Sequence, residues 1–140
     1  MNFNNFTIKA QEAIQFASQV AQANNQQAIE TGHIFKGLFQ EAENVVVFLL
    51  KKLDVNLNIF RQALDKIIES YPKVTGGDQY LSSAANKVLQ KSVSLAREMG
   101  DQFVSVEHIL ISMLGAGDSV RRMMNDNGIN KDELKKAVSE

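Results

Sequence analysis

The chain of 140 residues contains no cysteine, no tryptophan and only one proline. The absence of cysteine excludes disulfide bonds, thiolate nucleophiles and cysteine-ligated zinc, and it suits a protein of a reducing compartment. The N-terminal stretch MNFNNFTIKA has no basic start followed by an apolar run, so it does not have the form of a secretory signal peptide. We therefore expect a cytoplasmic protein.

An excess of charge of either sign is also missing. Fifteen lysine and arginine residues stand against sixteen aspartate and glutamate residues, which gives a net charge of −1. A nucleic-acid interface or a membrane-surface segment normally carries a cluster of positive charge, so we expect neither partner. The longest apolar run, VVVFLL at residues 45–50, is far shorter than the roughly 20 residues that span a bilayer.

Two segments of the same pattern are present, one in each half of the chain. TGHIFKGLF at residues 31–39 and VEHILISML at residues 106–114 each place a His-Ile pair before apolar residues at three- and four-residue steps. The likeness extends backwards, because Thr7 and Ser82 stand at matching distances before these segments and each precedes an amphipathic stretch. A helix start, a helix break and a second helix start recur in the same order in both halves, so the sequence predicts a duplicated unit.

Each unit has the apolar periodicity of four helices. In the first helix the apolar residues recur at helical steps with polar residues between them, which is typical of a core-facing stripe. Thr7 and Thr31 are predicted to cap the first two helices, and residues 45–53, apolar on nearly every side, are predicted to form a buried helix. No segment has a convincing strand pattern. The predicted helices are 8–23, 31–39, 45–53 and 56–70 in the first unit, and 82–99, 106–114, 119–127 and 131–138 in the second.

The predicted fold is therefore all-α, with eight helices in two pseudo-twofold-related four-helix repeats within one domain, 1–140. We place repeat 1 at about 6–70 and repeat 2 at about 81–138. The stretch YPKVTGGDQY at 71–80 holds the only proline and a Gly-Gly pair, and we interpret it as a short flexible connector.

No catalytic or metal-binding constellation stands out. Two histidines without cysteine cannot supply the four ligands of a structural zinc site, so His33 and His108 are predicted to be neutral, buried and hydrogen-bonded through a ring nitrogen. A metal bridging the two histidines is the alternative. The chain has no Gly-x-Ser-x-Gly elbow and no phosphate-binding loop ending in lysine, and the Arg-Arg pair at 121–122 is too small to neutralise a DNA backbone. We expect no enzyme activity, no metal and no cofactor in this segment.

The tandem segments FTIKAQEAI with TGHIFKGLF, and LSSAANKVL with VEHILISML, resemble the Clp N-terminal repeat domain that precedes the ATPase rings of Clp AAA+ unfoldases and disaggregases. The resemblance covers the chain from Asn2 to about Val138, and the opening MNFNNFT is most similar to the ClpB disaggregase branch. It implies eight helices in two repeats and a non-catalytic module that captures unfolded or aggregated polypeptide, or an adaptor protein, for the ring. It also implies a monomeric domain within a hexameric parent that uses ATP and magnesium.

By the same resemblance, substrate binding would involve Thr7, Asp101 and Glu107, with Leu95 in an adjoining apolar groove. The ClpC branch carries Thr-Glu-His in both repeats, where the glutamate helps to form a phosphoarginine pocket. Here the first copy has Gly32 at that position, so paired phosphoarginine recognition is not expected. Lys91 and His108 would make the groove more polar. An adaptor-binding domain of a ClpC- or ClpA-type unfoldase and a free-standing interaction protein remain the alternatives.

Overall fold

The computed structural model describes residues 2–40, 44–74 and 76–140. Within these residues the protein has eight α-helices and one parallel pair of two-residue strands. The elements are α1 (Ile8–Ala23), β1 (Ala28–Ile29), α2 (Thr31–Leu38), α3 (Val45–Lys52), α4 (Leu57–Ser70), β2 (Tyr80–Leu81), α5 (Ser83–Glu98), α6 (Val106–Met113), α7 (Ser119–Asp126) and α8 (Lys131–Ser139). The all-α prediction and the number and order of the helices are confirmed.

The long helices α1 and α5 begin in the same way. The side chain of Thr7 accepts a hydrogen bond from the backbone N–H of Ala10, and Ser82 does the same with Ala85, both at 3.1 Å. A hydroxyl at this position satisfies one of the backbone donors that the first turn leaves unpaired. Beyond the C-terminus of α1, Asn25 adopts φ +55°, a left-handed conformation that asparagine tolerates and that ends the helix.

Each long helix packs its apolar stripe on the short helix that follows, α1 on α2 and α5 on α6. Gly37 lets the first of these pairs come close, because a Cβ atom at this position would meet the backbone carbonyl of Ala13. The remaining helices cross between the repeats: α3 packs on α6 and α8, and α4 packs on α7. The buried apolar residues of both repeats therefore form one core.

The same backbone pairing occurs twice between the repeats. Ile29 of β1 pairs with Leu81 of β2, and Phe6 forms a parallel bridge with Val104. Adding 75 to Phe6 and to Ile29 gives 81 and 104, so each pairing is the pseudo-twofold counterpart of the other. The hydrogen bonds follow the same rule: the N–H of Thr7 donates to Val104 at 2.8 Å, and the counterpart bond from Ser82 to Ile29 is 3.0 Å.

Three expectations from the sequence are wrong. The strands were not expected, because two residues are too few to show the alternation that identifies a strand. Thr31 is not a helix cap: Glu30 occupies that position and Thr31 is the first helical residue. Helix α3 is not buried on every side, because Phe48 is 63% exposed. A single helix face is enough to anchor α3, so its outer apolar residues remain in solvent.

The repeat boundaries at 70 and 81 remain predictions. Strand β2 begins inside the predicted connector 71–80, and residue 75 of this connector lies outside the described residues. The connector is attached to α1 and to the residue pair that follows it, because the N–H of Val74 donates to the carbonyl of Asn25 at 2.9 Å and Nε2 of Gln79 donates to the carbonyl of Ser18 at 2.9 Å.

Candidate functional site

The two histidines have matching roles at the starts of α2 and α6. In His33, Nδ1 accepts the backbone N–H of Glu30 at 2.9 Å, and Nε2 lies 2.6 Å from Oε1 of Gln26. Because Nδ1 is an acceptor, Nε2 carries the proton and donates to the Gln26 amide oxygen. His33 is fully buried, and this burial lowers its pKa to about 4, so the ring is neutral at pH 7. The prediction of a buried, neutral, hydrogen-bonded histidine is confirmed for His33.

His108 repeats the arrangement with different partners. Its Nδ1 accepts the backbone N–H of Ser105 at 2.9 Å, and its Nε2 lies 2.8 Å from Oδ2 of Asp101. The prediction that His108 is buried and hydrogen-bonded through a ring nitrogen is also confirmed. Asp101 is thus the counterpart of Gln26 in repeat 1, and half of its side chain remains exposed.

Ser105, His108 and Asp101 have the composition of a nucleophilic triad, with Ser105 Oγ 2.9 Å from the histidine ring. The contacts are those of a helix cap instead. Ser105 Oγ accepts the backbone N–H of His108, while His108 Nδ1 accepts the backbone N–H of Ser105. In repeat 1 the same roles fall to Glu30 and Gln26, so the serine and the aspartate of such a triad are both absent there while the contacts remain. The histidine occupies the same capping arrangement in both repeats, which a structural role explains without a catalytic one.

Three of the four residues expected to bind substrate lie around the bridge between Phe6 and Val104. Thr7 is bonded to Val104 through its backbone, Asp101 lies three residues before Val104, and Glu107 is in the first turn of α6, three residues after it. The structure therefore brings Thr7, Asp101 and Glu107 to one region of the surface, where the two repeats meet.

Two exposed apolar side chains stand next to bridge residues in the chain, and neither was predicted as a site residue. Ile8 is 74% exposed and Phe103 is 47% exposed, and they are the chain neighbours of Thr7 and Val104. A signal for Ile8 was present: at 100° per residue it stands about 200° away from Ala10 of the buried stripe. We call Thr7, Ile8, Asp101, Phe103 and Glu107 the bridge surface.

Leu95 lies in a separate cleft of about 560 Å³, which α5, α6, α7 and the start of α8 enclose. We call it the Leu95 cleft. Its apolar lining comes from Leu95, Ile111 and Leu114, all buried. Thr7, Asp101 and Glu107 do not line it, although Glu98, one turn before Asp101, does.

The two residues expected to make the groove polar have different positions. Lys91 lines the Leu95 cleft, as expected. His108 does not, because its ring is buried against Asp101 and the Ser105 cap.

Other site types find little support in the described part of the chain. No group of three or more histidine, cysteine, aspartate or glutamate side chains is placed to hold a metal ion there. Among the same residues, no helix is both long enough and apolar enough to cross a bilayer.

Comparisons with known proteins identify relatives along the whole chain. The family model described as the Clp repeat (R) N-terminal domain matches residues 5–139. Over 140 residues, all of this chain, the sequence is 48% identical to the chaperone protein ClpB of Bacteroides thetaiotaomicron and 39% identical to that of Porphyromonas gingivalis. The chain spans 16% of the length of each of these relatives.

Solved structures match the fold. The Hsp104 N-terminal domain from Candida albicans superposes with a TM-score of 0.85 at 19% identity, covering 98% of this chain and 91% of that one. A chain in a structure named for a peptide from the EAEC T6SS Sci1 SciI protein gives a TM-score of 0.74 at 16% identity, covering 99% and 82%. The chain belongs to the Clp repeat (R) N-terminal domain family, with ClpB chaperones among its relatives.

Proposed function

We propose that this domain recognises substrates for a ClpB-type, ATP-dependent chaperone. It binds unfolded or aggregated polypeptide and passes it to an AAA+ ring, and it has no catalytic activity of its own. ATP and magnesium act in the ring part of the parent protein, which we expect to be a cytoplasmic hexamer, whereas the isolated domain is monomeric. Whole-chain identity to ClpB chaperones supports the assignment to this branch.

The observation that carries the proposal is the bridge surface. Ile8 and Phe103 expose large apolar side chains where the two repeats meet. Unfolded proteins expose apolar side chains that folded proteins bury, so an apolar patch bordered by hydrogen-bonding groups distinguishes them from folded ones. We propose that Thr7, Asp101 and Glu107 bind the polar backbone of the captured segment. Affinity will be low, because the patch is small and a disordered partner loses conformational entropy when it is ordered.

The same surface could serve an adaptor protein, as in ClpC- or ClpA-type unfoldases. One similar chain, at low identity, comes from a structure named for a peptide of another protein, which makes a peptide-like partner the natural first choice. A free-standing interaction protein is the other alternative. Sequencing the gene beyond codon 140 distinguishes it, since a phosphate-binding loop of the Walker A type in the same reading frame supports the ring-linked function and a stop codon contradicts it.

NMR titration of the domain with an unfolded model protein tests the proposal. We expect the largest shift changes at the bridge surface, and weaker binding for Ile8→Ser and Phe103→Ser. Phe48→Ser is the matched control for Phe103→Ser, because Phe48 on α3 is the same residue type and is even more exposed but lies outside the bridge surface. Asp101→Asn and Glu107→Gln test the polar contacts. Shift changes spread evenly over the surface, or equal losses for Phe48→Ser and Phe103→Ser, would contradict the proposal.

A further inference from the structure

The Leu95 cleft concentrates positive charge in a protein that carries a net charge of −1. Lys91 from α5, Arg121 from α7 and Lys131 from α8 all line it, against a single acid, Glu98. In the part of the chain that the structure describes, none of these three cations forms an ion pair with a carboxylate. Their charges are therefore available to a ligand.

Lys91 is held at the edge of this cleft. Its Nζ donates to the carbonyl oxygen of Gly115 at 3.0 Å, which links α5 to the segment after α6. A Cβ atom at position 115 would lie 2.8 Å from that Nζ, so glycine leaves room for the ammonium group. An ammonium group has three N–H donors and this carbonyl uses one of them, so Lys91 can bind a carboxylate without leaving its position.

The wall beneath the cations is apolar. Leu95, Ile111 and Leu114 line the cleft beside them. We propose that the Leu95 cleft binds polypeptide segments in which carboxylates lie next to large apolar side chains, that is, acidic amphipathic segments. This inference rests on the proposed function and specifies its substrate class. The apolar side chains enter the cleft, and the carboxylates pair with Lys91, Arg121 and Lys131.

The corresponding part of repeat 1 lacks this charge. Subtracting 75 from Lys91 gives Phe16, which lines a smaller cleft with Gln15, Gln19, Gln40 and the acid Glu12. No lysine or arginine is among these lining residues. Because the repeats share a backbone plan and differ in these side chains, the preference for acidic segments is assigned to repeat 2 alone.

The test uses three short synthetic peptides with the same leucine spacing and glutamate, glutamine or lysine between the leucines. Fluorescence anisotropy measures their dissociation constants for the wild-type domain, for Lys91→Gln/Arg121→Gln, and for Lys87→Gln. Lys87 lies one turn before Lys91 on α5, is exposed and does not line the cleft, so it reports a charge change outside the site.

We expect the glutamate peptide to bind about tenfold more tightly than the lysine peptide, since each exposed ion pair contributes about two- to fivefold. The double variant should lose most of this preference and Lys87→Gln should keep it. Raising the ionic strength from about 0.1 M to about 1 M, which shortens the Debye length from about 10 Å to about 3 Å, should also reduce it.

Equal affinity for all three peptides would overturn the charge preference and leave the proposed function standing. If none of the three peptides binds and an unfolded protein does not bind either, both the charge preference and the proposed function are overturned. A concentration-dependent increase in mass that the glutamate peptide does not reverse would show that a second copy of the chain fills the cleft, and would also overturn the inference.

Discussion

Replacing His33 with alanine removes a side chain that is bonded to one buried and one partly buried hydrogen-bonding group. The ring accepts the backbone N–H of Glu30 and donates to Gln26 Oε1. Gln26 is itself buried and donates through Nε2 to the carbonyl of Ile68 at 2.6 Å, so the network joins the start of α2 to the end of α4. His33→Ala leaves the Glu30 N–H and the Gln26 oxygen without a partner inside the protein.

The cost follows from these two groups. A buried donor or acceptor without a partner costs about 1–3 kcal/mol, and the loss of packing around the ring adds to this, so we expect His33→Ala to lower the free energy of unfolding by about 3 kcal/mol. His108→Ala should cost about 1–2 kcal/mol. The reason for the difference is Asp101, whose side chain is half exposed and stays hydrated when the histidine is removed.

Urea unfolding followed by far-ultraviolet circular dichroism measures both free energies, and thermal unfolding followed by the same signal gives the melting temperatures. For a chain of this size we expect melting temperatures to fall by about 10 °C for His33→Ala and by about 5 °C for His108→Ala. Lys87→Gln serves as the surface control and should leave the melting temperature nearly unchanged. Equal costs, or a larger cost for His108→Ala, would refute the reasoning. Unchanged melting temperatures with lost binding would instead make the histidines binding residues.

Three further changes test other contacts. The pKa of His33 is about 4 in the folded protein and 6.5 unfolded, so only the unfolded chain gains this proton as pH falls from 6.5 to 4. Urea unfolding at each pH should therefore show that the free energy of unfolding falls over that range by about 3 kcal/mol more in the wild-type protein than in the His33→Gln variant. Gly37→Ala should cost about 1–3 kcal/mol, because its Cβ would meet the Ala13 carbonyl; an unchanged melting temperature would contradict this. Thr31→Val should lower the free energy of unfolding by about 2 kcal/mol, because Thr31 Oγ1 donates to Asp118 Oδ2 at 2.7 Å between the repeats. A calorimetric measurement that shows no loss of stability would contradict this.

The helices were predictable because their signals are local. Apolar residues at three- and four-residue steps define α1 and α5, and Thr7, Ser82 and Asn25 are capping and terminating residues that act through their own backbone neighbours. The failures at Thr31 and Phe48 have one cause. The Thr31 hydroxyl donates to Asp118, 87 residues away, and Phe48 lies on a face of α3 that the described residues leave exposed. Neither the long-range hydrogen bond nor the exposure of Phe48 can be predicted from a local sequence pattern.

The candidate site could be predicted only in part. The resemblance to a known family supplied Thr7, Asp101, Glu107 and Leu95, and the roles of these residues remain predictions. The sequence did not indicate that Leu95 lies in a cleft apart from the other three, because side chains from four helices form that cleft.

By itself the sequence determined eight helices, their order, the duplication and the histidine pair. Periodicity and caps act over short stretches of chain, and the 75-residue repeat is visible when the two halves of the sequence are compared. The tertiary structure decided which surfaces those helices leave open. Pairing Phe6 with Val104 brings the exposed Ile8 and Phe103 to the same junction of the two repeats, and the packing of α5, α6, α7 and α8 places Lys91, Arg121 and Lys131 around Leu95. These arrangements join residues distant in the chain, and only the packed fold brings them together.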